Sequence, residues 1–326
     1  MTSRSFSRRD FCAGLGAAGA AFALAGRAVY AAAPRTAFPQ VIGQMGYHTC
    51  TYDDTLVDLA VKYRLGYDEL AAANPGVDPW VPGAGKRVAL PSAHVLPDGP
   101  REGIILNLAD MRFYYFPGKP GAVETYAIGT GREAWNTPLG TTKIVRKAYK
   151  PTWYVPVSIQ KERPGQKPIV PPGKNNPLGE YAFYLGWQSY LIHDTNEPFS
   201  VGRQASHGCV HLYPADIKQL FPRIPVGTKV TAVYQQAKIG WRDGELLLEV
   251  HPSREQADQI EDKGSFTPAR LPDVPDRLTA AAGDQAKLID WEVVDRAVLE
   301  RRGYPISVLR SGEKPSDQSS QQSNAG

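Results

Sequence analysis

Between residues 103 and 234 the chain is built from short runs of apolar and β-branched residues separated by Gly, Pro and Asp. Many short strands at close spacing are typical of a β-sandwich or β-barrel, because each strand buries only a short apolar face. The sequence therefore predicts a mainly β domain over residues 102–235, with one helix at 214–221. The predicted strands are 104–108, 112–116, 123–128, 142–146, 181–185, 190–193, 209–212 and 229–234.

One segment inside this domain lacks such runs. Residues 147–177 are rich in Pro, Lys and Gly and show little periodicity. A structureless stretch of that length inside a domain usually serves as a lid or a binding loop. We therefore expect a long loop beside the functional site.

Residues 43–91 form a candidate module of their own. A strand at 47–51 precedes a helix that starts near Leu56, is capped by Asp53 or Asp54 and stops at Gly66. A second short helix at 68–73 and a strand at 87–90 complete the pattern. The predicted order is βααβ.

A C-terminal extension, residues 236–310, follows the β domain. Its predicted elements are a strand at 245–250, a Pro/Asp/Ala-rich linker at 266–286 and one helix, capped by Asp290 and ended by Gly303. Residues 311–326 are rich in Ser and Gln and almost free of apolar groups. That composition predicts a disordered tail.

The N-terminal residues have the pattern expected of an export signal. Arg8 and Arg9 precede an uncharged run that is too short to span a bilayer, and small residues follow up to Ala33. We expect residues 1–32 to be a Tat-type signal peptide that is cleaved, which would place the mature protein in the periplasm. Its removal takes away four arginines and one aspartate and lowers the formal net charge from +4 to +1. Near neutrality excludes the positive surface that nucleic-acid binding needs.

The chemistry-bearing residues surround the one cysteine of the central segment. Cys209 lies in the sequence Ser206-His207-Gly208-Cys209-Val210-His211, and His193 ends an earlier predicted strand. If Cys209 begins a strand, His207, Cys209 and His211 share a face, and a neighbouring strand would bring His193 close. A thiol beside imidazoles can be deprotonated and act as a nucleophile in acyl transfer.

Three other interpretations fit the same residues. His193, His207, Cys209 and His211 have the donor types of a zinc site. Cys209 is alternatively an inert buried thiol. A disulfide between Cys50 and Cys209 is the third, since an exported chain meets oxidising conditions.

The motifs resemble those of L,D-transpeptidases with a YkuD-type catalytic domain. The likeness runs from about residue 103 to 234 and rests on His193-x2-Asn196-x9-Ser206-His207-Gly208-Cys209-Val210. Further segments occur in the expected order: 137–140, 151–153, 176–179 and 192–198. Residues 43–91 are similar to LysM modules, which bind peptidoglycan glycans, in their order of elements and in Asp54-Thr55-Leu56 and Ala72-Ala73-Asn74-Pro75-Gly76. They depart from LysM modules at Tyr52-Asp53, where Pro-Gly is usual. A LysM module before this catalytic domain resembles Gram-negative members of the family.

The resemblance implies roles for individual residues. Cys209 corresponds to the nucleophile, His193 to the histidine that activates it and His207 to a second histidine that shapes the pocket, with Ser206 and Gly208 completing the motif. Asp194 and His211 depart from the family, which commonly has Gly and Arg at these positions. An Asp beside His193 would orient the ring or raise its pKa. We expect Trp153, Tyr190, Asn196 and Arg203 to bind substrate.

The implied function is that of a peptidoglycan L,D-transpeptidase. Its cysteine would form a thioester with tetrapeptide stems and then make 3-3 crosslinks or attach an outer-membrane protein. With water as acceptor the enzyme would be an L,D-carboxypeptidase, and a non-catalytic peptidoglycan-binding protein is the other alternative. The expected partners are glycan strands and stem peptides, with no cofactor and no metal.

Overall fold

The computed structural model describes residues 38–132 and 135–310. The predicted signal peptide and the predicted disordered tail lie outside the described residues. None of the helices in the described ranges has the length and apolar character needed to cross a membrane.

The described residues are mainly β. The strands are β1 Val41–Gly43, β2 Gly46–Thr49, β3 Arg87–Leu90, β4 Ala93–Val95, β5 Gly103–Asn107, β6 Arg112–Phe116, β7 Glu124–Gly131, β8 Gly140–Tyr149, β9 Trp153–Tyr154, β10 Ile169–Val170, β11 Tyr181–Leu185, β12 Leu191–His193, β13 Gln204–Ser206, β14 Val210–Leu212, β15 Lys229–Val233, β16 Ala237–Arg242, β17 Glu245–Val250 and β18 Ile306–Ser307. The helices are α1 Leu56–Tyr63, α2 Tyr67–Ala73, α3 Val157–Glu162, α4 Pro214–Leu220, α5 Arg254–Lys263, α6 Val274–Ala282 and α7 Trp291–Glu300.

Eight strands close into a barrel in the order β7-β14-β12-β11-β8-β15-β5-β6, with β6 pairing back to β7. Closure removes the free sheet edges that would otherwise invite aggregation. Most neighbours are antiparallel, whereas β12 with β14 and β15 with β5 run parallel. The predicted mainly β domain is confirmed, and of the two architectures predicted, sandwich or barrel, the barrel is the one present.

Strands β5 and β6 are buried on both faces, since alternate side chains point to the barrel interior and to its outer surface. Ile104 and Phe113 face the barrel interior, where they join the large core cluster. Their chain neighbours Ile105 and Tyr114 face outward and pack against Leu96 from the segment before the barrel. Alternate side chains of one strand therefore hold the barrel together and attach the flanking segments to it.

The βααβ order of residues 43–91 is present in the structure. β2 and β3 pair antiparallel, and α1 and α2 cover them with Leu56, Leu59 and Leu70 in the core. The N-cap of α1 is Thr55, whose hydroxyl accepts from the Asp58 amide, and not Asp53 or Asp54 as the sequence predicted. The prediction was wrong because Asp54 is used elsewhere: its carboxylate binds Thr51 and His48.

The C-terminal extension contains three α-helices in its described residues, α5, α6 and α7, where the sequence predicted one. The predicted linker 266–286 includes α6, which the Pro/Asp-rich composition concealed. Proline is tolerated in the first turn of a helix, and Val274 and Leu278 bury one face of α6. Asp290 caps α7 as predicted, through the amides of Glu292 and Val293.

The predicted loop 147–177 is also more ordered than expected. It holds the end of β8, the two-stranded β9–β10 sheet and the short helix α3. Asn176, fully buried, ties this segment together by donating to Pro151 O at 2.8 Å and accepting from the Leu178 amide at 2.9 Å. Residues of this segment and of the barrel strands line the site described below.

Buried ion pairs join the three parts of the chain. Glu69 of α2 accepts from Arg112 of β6 at 2.8 Å, and both side chains are buried. Lys238 of β16 lies 2.5 Å from Asp110 and 2.8 Å from Glu249, all without solvent access. Removing one partner would leave an uncompensated buried charge, so these pairs define how the module and the extension dock on the barrel.

Candidate active site

Cys209 and His193 lie on neighbouring strands of the barrel. β12 and β14 run parallel, with Ile192 opposite Val210 and His193 opposite His211. Cys209 directly precedes β14, so it lies opposite Leu191, and the period of two directs His193 and Cys209 to the same side of the sheet. Cys209 Sγ lies 3.7 Å from the carbonyl oxygen of Ser189.

The turn that presents the thiol requires the residues of the motif. Gly208 has φ +101°, a region that favours glycine, and a Cβ at this position would lie 2.8 Å from the Tyr190 ring. Ser206 Oγ accepts from the Gly208 amide at 3.1 Å and donates to the Cys209 carbonyl at 2.6 Å. Thr137 Oγ1 donates to the Gly208 carbonyl at 2.9 Å. The serine and the glycine thus hold the backbone on either side of the sulfur.

His193 is oriented by the main chain of Asp194. Its Nδ1–H donates to the Asp194 carbonyl oxygen, which leaves Nε2 as the basic nitrogen. The Asp194 carboxylate is occupied elsewhere, since it accepts from the amides of Thr195 at 2.7 Å and Glu180 at 3.0 Å. The expectation that this carboxylate orients the ring or raises its pKa is therefore corrected: the carbonyl orients it, and burial lowers the pKa.

Burial keeps both members of the pair uncharged. It lowers the pKa of His193 to about 3, with a further contribution from nearby His211. It raises the pKa of the Cys209 thiol to about 11. A neutral imidazole beside a neutral thiol can act as a general base when a carbonyl carbon is in place to accept the sulfur.

His211 is buried behind His193, with the two ring centres 6.0 Å apart. Its Nε2–H lies 3.0 Å from Ser200 Oγ and 3.1 Å from Ser200 O. A side chain at Gly129 would overlap the ring, so the glycine makes room for it. His211 is thus a packed, hydrogen-bonded residue of the cavity wall, and burial lowers its pKa.

His207 belongs to a polar cluster at the other side of the thiol. Its Nε2 lies 3.0 Å from Glu162 Oε2 and 3.0 Å from Arg132 Nη2, and Arg132 also bonds to Glu162. The Trp135 ring meets the imidazole edge-on at 5.2 Å. Glu162 and Arg132 could not be predicted from the sequence, because no local pattern links helix α3 or the residue after β7 to the motif.

An open cavity of about 780 Å³ lies beside the thiol. Cys209, His193, His207 and His211 all reach it, as do Trp153, Tyr190 and Asn196 from the predicted substrate-binding set. Two cations that the sequence analysis did not single out also line it: Arg163, and Arg146, whose guanidinium lies 3.5 Å from the centre of the Tyr184 ring.

Arg203 occupies a different place from the one expected. It is not among the residues that line the cavity; its guanidinium lies over the Tyr67 ring at 3.7 Å and pairs with Glu261 at 3.5 Å. It therefore joins α2, α5 and the barrel. The sequence placed it near the motif, but the short strand β13 turns it toward the module.

The geometry also bears on the zinc and disulfide interpretations. Among the described residues, two clusters bring three metal-ligating side chains within 4.8 Å of one another, and neither includes His193, His207, Cys209 or His211. Cys50 and Cys209 are both free thiols, the first in the core of the small module and the second in the cavity. The site thus presents a neutral thiol, a neutral imidazole and two guanidinium groups around an open cleft.

Comparison with known proteins identifies the family. The YkuD profile, described as the L,D-transpeptidase catalytic domain, matches residues 101–231. The Escherichia coli K12 protein named "Probable L,D-transpeptidase YcfS" is 34% identical over 85% of this chain and 87% of its own length. The "Probable L,D-transpeptidase YbiS" of the same strain is 35% identical over 88% of this chain and 96% of its own length. The chain belongs to the L,D-transpeptidase family.

Further matches are of the same kind. The "Probable L,D-transpeptidase ErfK/SrfK" of Salmonella typhimurium is 36% identical over 78% of this chain and 82% of its own length. A solved structure, the Ldtfm-avibactam carbamoyl enzyme, is 23% identical over 42% of this chain and 50% of that chain, with a TM-score of 0.34. On the sequence matches, the protein is a cysteine-dependent L,D-transpeptidase that acts on peptidoglycan stem peptides.

Proposed function

We propose that Cys209 is the nucleophile of this transpeptidase and His193 its general base. The observation that carries the proposal is the position of Cys209 together with the absence of any other cysteine from the catalytic segment. Cys209 is the one cysteine in the segment that matches the catalytic domain, and it lies at the wall of the cavity beside the strand that carries His193. A cysteine-dependent family leaves no other thiol in that segment for the role.

The first half of the reaction forms an acyl-enzyme. The Cys209 sulfur attacks the carbonyl carbon at the L-centre of diaminopimelate in a tetrapeptide stem, while His193 Nε2 takes the thiol proton. The C–N bond to the terminal D-Ala then breaks, and the imidazolium returns the proton to the leaving amine. A thioester remains on Cys209. The Cys209 amide, held in place by the Ser206 bonds on both sides, is positioned to stabilise the oxyanion.

The second half transfers the acyl group to an amine. The acceptor amine loses a proton to His193 and attacks the thioester carbon; the C–S bond breaks, and the imidazolium returns that proton to the sulfur, which restores the thiol. A diaminopimelate side chain gives a 3-3 crosslink, and a lysine of an outer-membrane protein gives a protein anchor. Water as acceptor would make the same enzyme an L,D-carboxypeptidase.

Two arginines in the cleft suit the charges of the stem peptide. The Arg146 guanidinium lies over the Tyr184 ring, and Arg163 follows helix α3. Stem peptides carry carboxylates, which guanidinium groups bind in a two-pronged geometry. We assign both arginines to substrate carboxylates. They supply the positive charge that is missing at position 211, where the family commonly has Arg and this chain has His. Trp153, Tyr190 and Asn196 form the adjoining walls.

The small module is proposed to bind glycan as a LysM module. Its two aromatic side chains with the greatest exposure, Tyr52 at 86% and Trp80 at 65%, come from loops that run side by side, since the Leu56 amide donates to Pro79 O at 2.8 Å. Exposed aromatic rings on adjacent loops are suited to stacking on sugar rings. Binding there would tether the catalytic domain to the strands that carry its substrate and raise its local concentration.

Export by the Tat route to the periplasm completes the proposal. It rests on the arginine pair at positions 8 and 9, the apolar run and the small residues up to Ala33. The peptidoglycan substrate lies outside the cytoplasmic membrane, so activity on it requires export.

The test is a product analysis with purified protein and disaccharide tetrapeptides that contain diaminopimelate. Mass spectrometry is expected to show crosslinked dimers that have lost one D-Ala, and Cys209→Ala is expected to abolish them. Tripeptide without dimer would support the carboxypeptidase. No product with a reduced thiol, or unchanged product from Cys209→Ala, would overturn the nucleophile assignment.

A further inference from the structure

A group of metal-ligating side chains outside the active-site cavity lies in the small module. His48 lies on β2, Cys50 follows that strand, and Asp54 lies in the loop before α1. One ligand atom from each lies within 4.8 Å of the other two. The closest pair, His48 Nε2 and Asp54 Oδ2, is 3.0 Å apart. Three different donor types thus converge at one end of the strand.

The spacing is close to that of a tetrahedral zinc site. Zn–N, Zn–S and Zn–O bonds of roughly 2.0–2.3 Å place neighbouring ligand atoms about 3.3–3.6 Å apart. The His48–Asp54 distance of 3.0 Å is about 0.5 Å shorter than this, and the Cys50 sulfur, within 4.8 Å of both atoms, is at most about 1.5 Å too far, a difference that side-chain rotation can supply. Cys50 is buried, whereas His48 and Asp54 each retain some solvent access, so an ion can enter from the loop side.

An outer partner already orients the histidine. The Tyr63 hydroxyl lies 2.9 Å from His48 Nδ1 and leaves Nε2 facing Asp54. Metal-binding histidines almost always have such a partner on the second ring nitrogen. When Nε2 binds an ion, Nδ1 carries the proton and donates to the Tyr63 oxygen, so the contact persists in both states.

The other compact cluster in the described residues shows a contrasting arrangement. Asp110, Glu249 and His251 also converge, but the Lys238 ammonium lies between them, 2.5 Å from Asp110 and 2.8 Å from Glu249. The Lys238 ammonium therefore occupies the place that a metal ion would take in that cluster. Within residues 38–132 and 135–310, no lysine or arginine side chain forms a hydrogen bond or ion pair with His48, Cys50 or Asp54.

We propose that His48, Cys50 and Asp54 bind one zinc ion, with water as the fourth ligand. The site uses a nitrogen, a sulfur and an oxygen donor, a set that suits Zn²⁺ and disfavours Mg²⁺ and Ca²⁺, which prefer oxygen alone. Binding breaks the Cys50 S–H bond, forms the Zn–S bond and releases one proton to solvent. A thiolate and a carboxylate then balance the charge of the ion.

The ion would brace the loop that carries Tyr52. That loop runs from Cys50 to Thr55, so ligands at positions 50 and 54 tie down both its ends. In the absence of metal, the loop is held by Asp54, through the Thr51 amide and hydroxyl and the His48 ring. The inference is independent of the catalytic proposal, because Cys209 takes no part in it.

The experiment titrates Zn²⁺ into the full chain carrying Cys12→Ser and Cys209→Ser, so that Cys50 is the one remaining thiol. Calorimetry is expected to show about one ion per chain, with about one proton released per ion when buffers of different ionisation enthalpy are compared. Co²⁺ in place of Zn²⁺ is expected to give the near-ultraviolet charge-transfer band of a thiolate ligand. Mg²⁺ is expected to give neither signal.

Variants assign the ligands. Cys50→Ser, His48→Gln and Asp54→Asn are each expected to weaken Zn²⁺ binding by at least about tenfold, and Tyr63→Phe by a smaller factor. Asp53→Asn, an exposed neighbour, is the matched control and is expected to bind like the parent. Should Cys50→Ser fail to fold, His48→Gln and the Co²⁺ band still decide. Any one of three results would overturn the site: no stoichiometric Zn²⁺ binding, a Co²⁺ spectrum without the thiolate band, or parent-like Zn²⁺ binding by His48→Gln.

Discussion

Glu162 and His207 lie 3.0 Å apart, carboxylate oxygen to imidazole Nε2, although they come from helix α3 and from the cysteine motif. Arg132 bonds to both, and its guanidinium and the His207 ring together lower the pKa of Glu162. Helix α3, within residues 147–177, is thereby connected to His207, two positions before Cys209. Any movement of α3 changes the surroundings of the motif.

Replacing Glu162 by Gln is expected to lower kcat/KM about tenfold, because a small displacement of His207 disturbs the alignment of thiol and substrate. Glu162 is partly exposed, so the melting temperature should stay unchanged. Steady-state rates with disaccharide tetrapeptides and thermal unfolding measure the two effects. Lys161→Gln, one residue earlier on the same helix, is the control. Equal losses in both variants would indicate a general effect of the helix instead.

Gly208→Ala is expected to lower activity by about 100-fold or more, because the new methyl group would meet the Tyr190 ring and move the thiol. The left-handed backbone adds a destabilisation of about 1–3 kcal/mol. Gly227→Ala separates the two effects, since Gly227 has φ +93° and an added Cβ there would meet nothing within 4 Å. It should lose stability but keep activity. An active Gly208→Ala enzyme would contradict the role of the turn.

Asp194→Asn is expected to destabilise the fold by about 1–3 kcal/mol, because one amide oxygen cannot replace two carboxylate oxygens that accept from Thr195 and Glu180. The pH profile of activity should keep its shape, since the main-chain carbonyl, which the substitution retains, orients His193. Urea unfolding and a kcat/KM profile give the two readouts, with Glu180→Gln as the neighbouring control. A profile displaced without loss of stability would restore a direct role for the carboxylate.

Alkylation of Cys209 in the free enzyme should be slow at neutral pH and should still be rising above pH 9. Only the thiolate reacts, and a pKa raised to about 11 leaves far less thiolate at a given pH than an exposed thiol has. The pKa of His193 leads to the same expectation, because a pKa lowered to about 3 means that no imidazolium is present near neutrality to stabilise a thiolate. Iodoacetamide rates, followed by mass spectrometry of the Cys209 peptide, test this. A plateau near pH 7 would reveal a preformed ion pair.

Trp80→Ala is expected to weaken binding to isolated peptidoglycan about five- to thirtyfold, the effect of losing about 1–2 kcal/mol of aromatic contact. Turnover of small soluble stem peptides should not change, because Trp80 lies on the module and not among the cavity residues. Co-sedimentation with sacculi and steady-state kinetics are the two measurements. Trp291→Ala, on the partly exposed start of α7, is the control. Unaltered sedimentation of Trp80→Ala would argue against the glycan-binding face.

Much of the fold was predictable, and the exceptions have physical causes. Strands such as Arg112–Phe116, Tyr181–Leu185 and Glu245–Val250 have the predicted bounds, because their apolar pattern is local. β13 escaped prediction because it is short and polar. Helix α6 escaped because tertiary packing of a few side chains, such as Val274 and Leu278, outweighs a composition typical of a linker. Helix α5 lies before that linker and has local signals of its own, a capping box of Ser253 and Gln256 at its start and Gly264 at its end, which the predicted element order did not include.

The sequence by itself determined the chemistry that is available: a thiol in a Ser-His-Gly-Cys motif, a second histidine at the end of a strand, and the strand periodicity that closes a barrel. The tertiary structure alone decided how that chemistry is arranged. It directs the Asp194 carboxylate to backbone amides, sends Arg203 to the module, and brings Glu162 and Arg132 to His207. The reason is physical: such contacts join residues that are distant along the chain, and they exist only after closure of the barrel has fixed where each strand end lies.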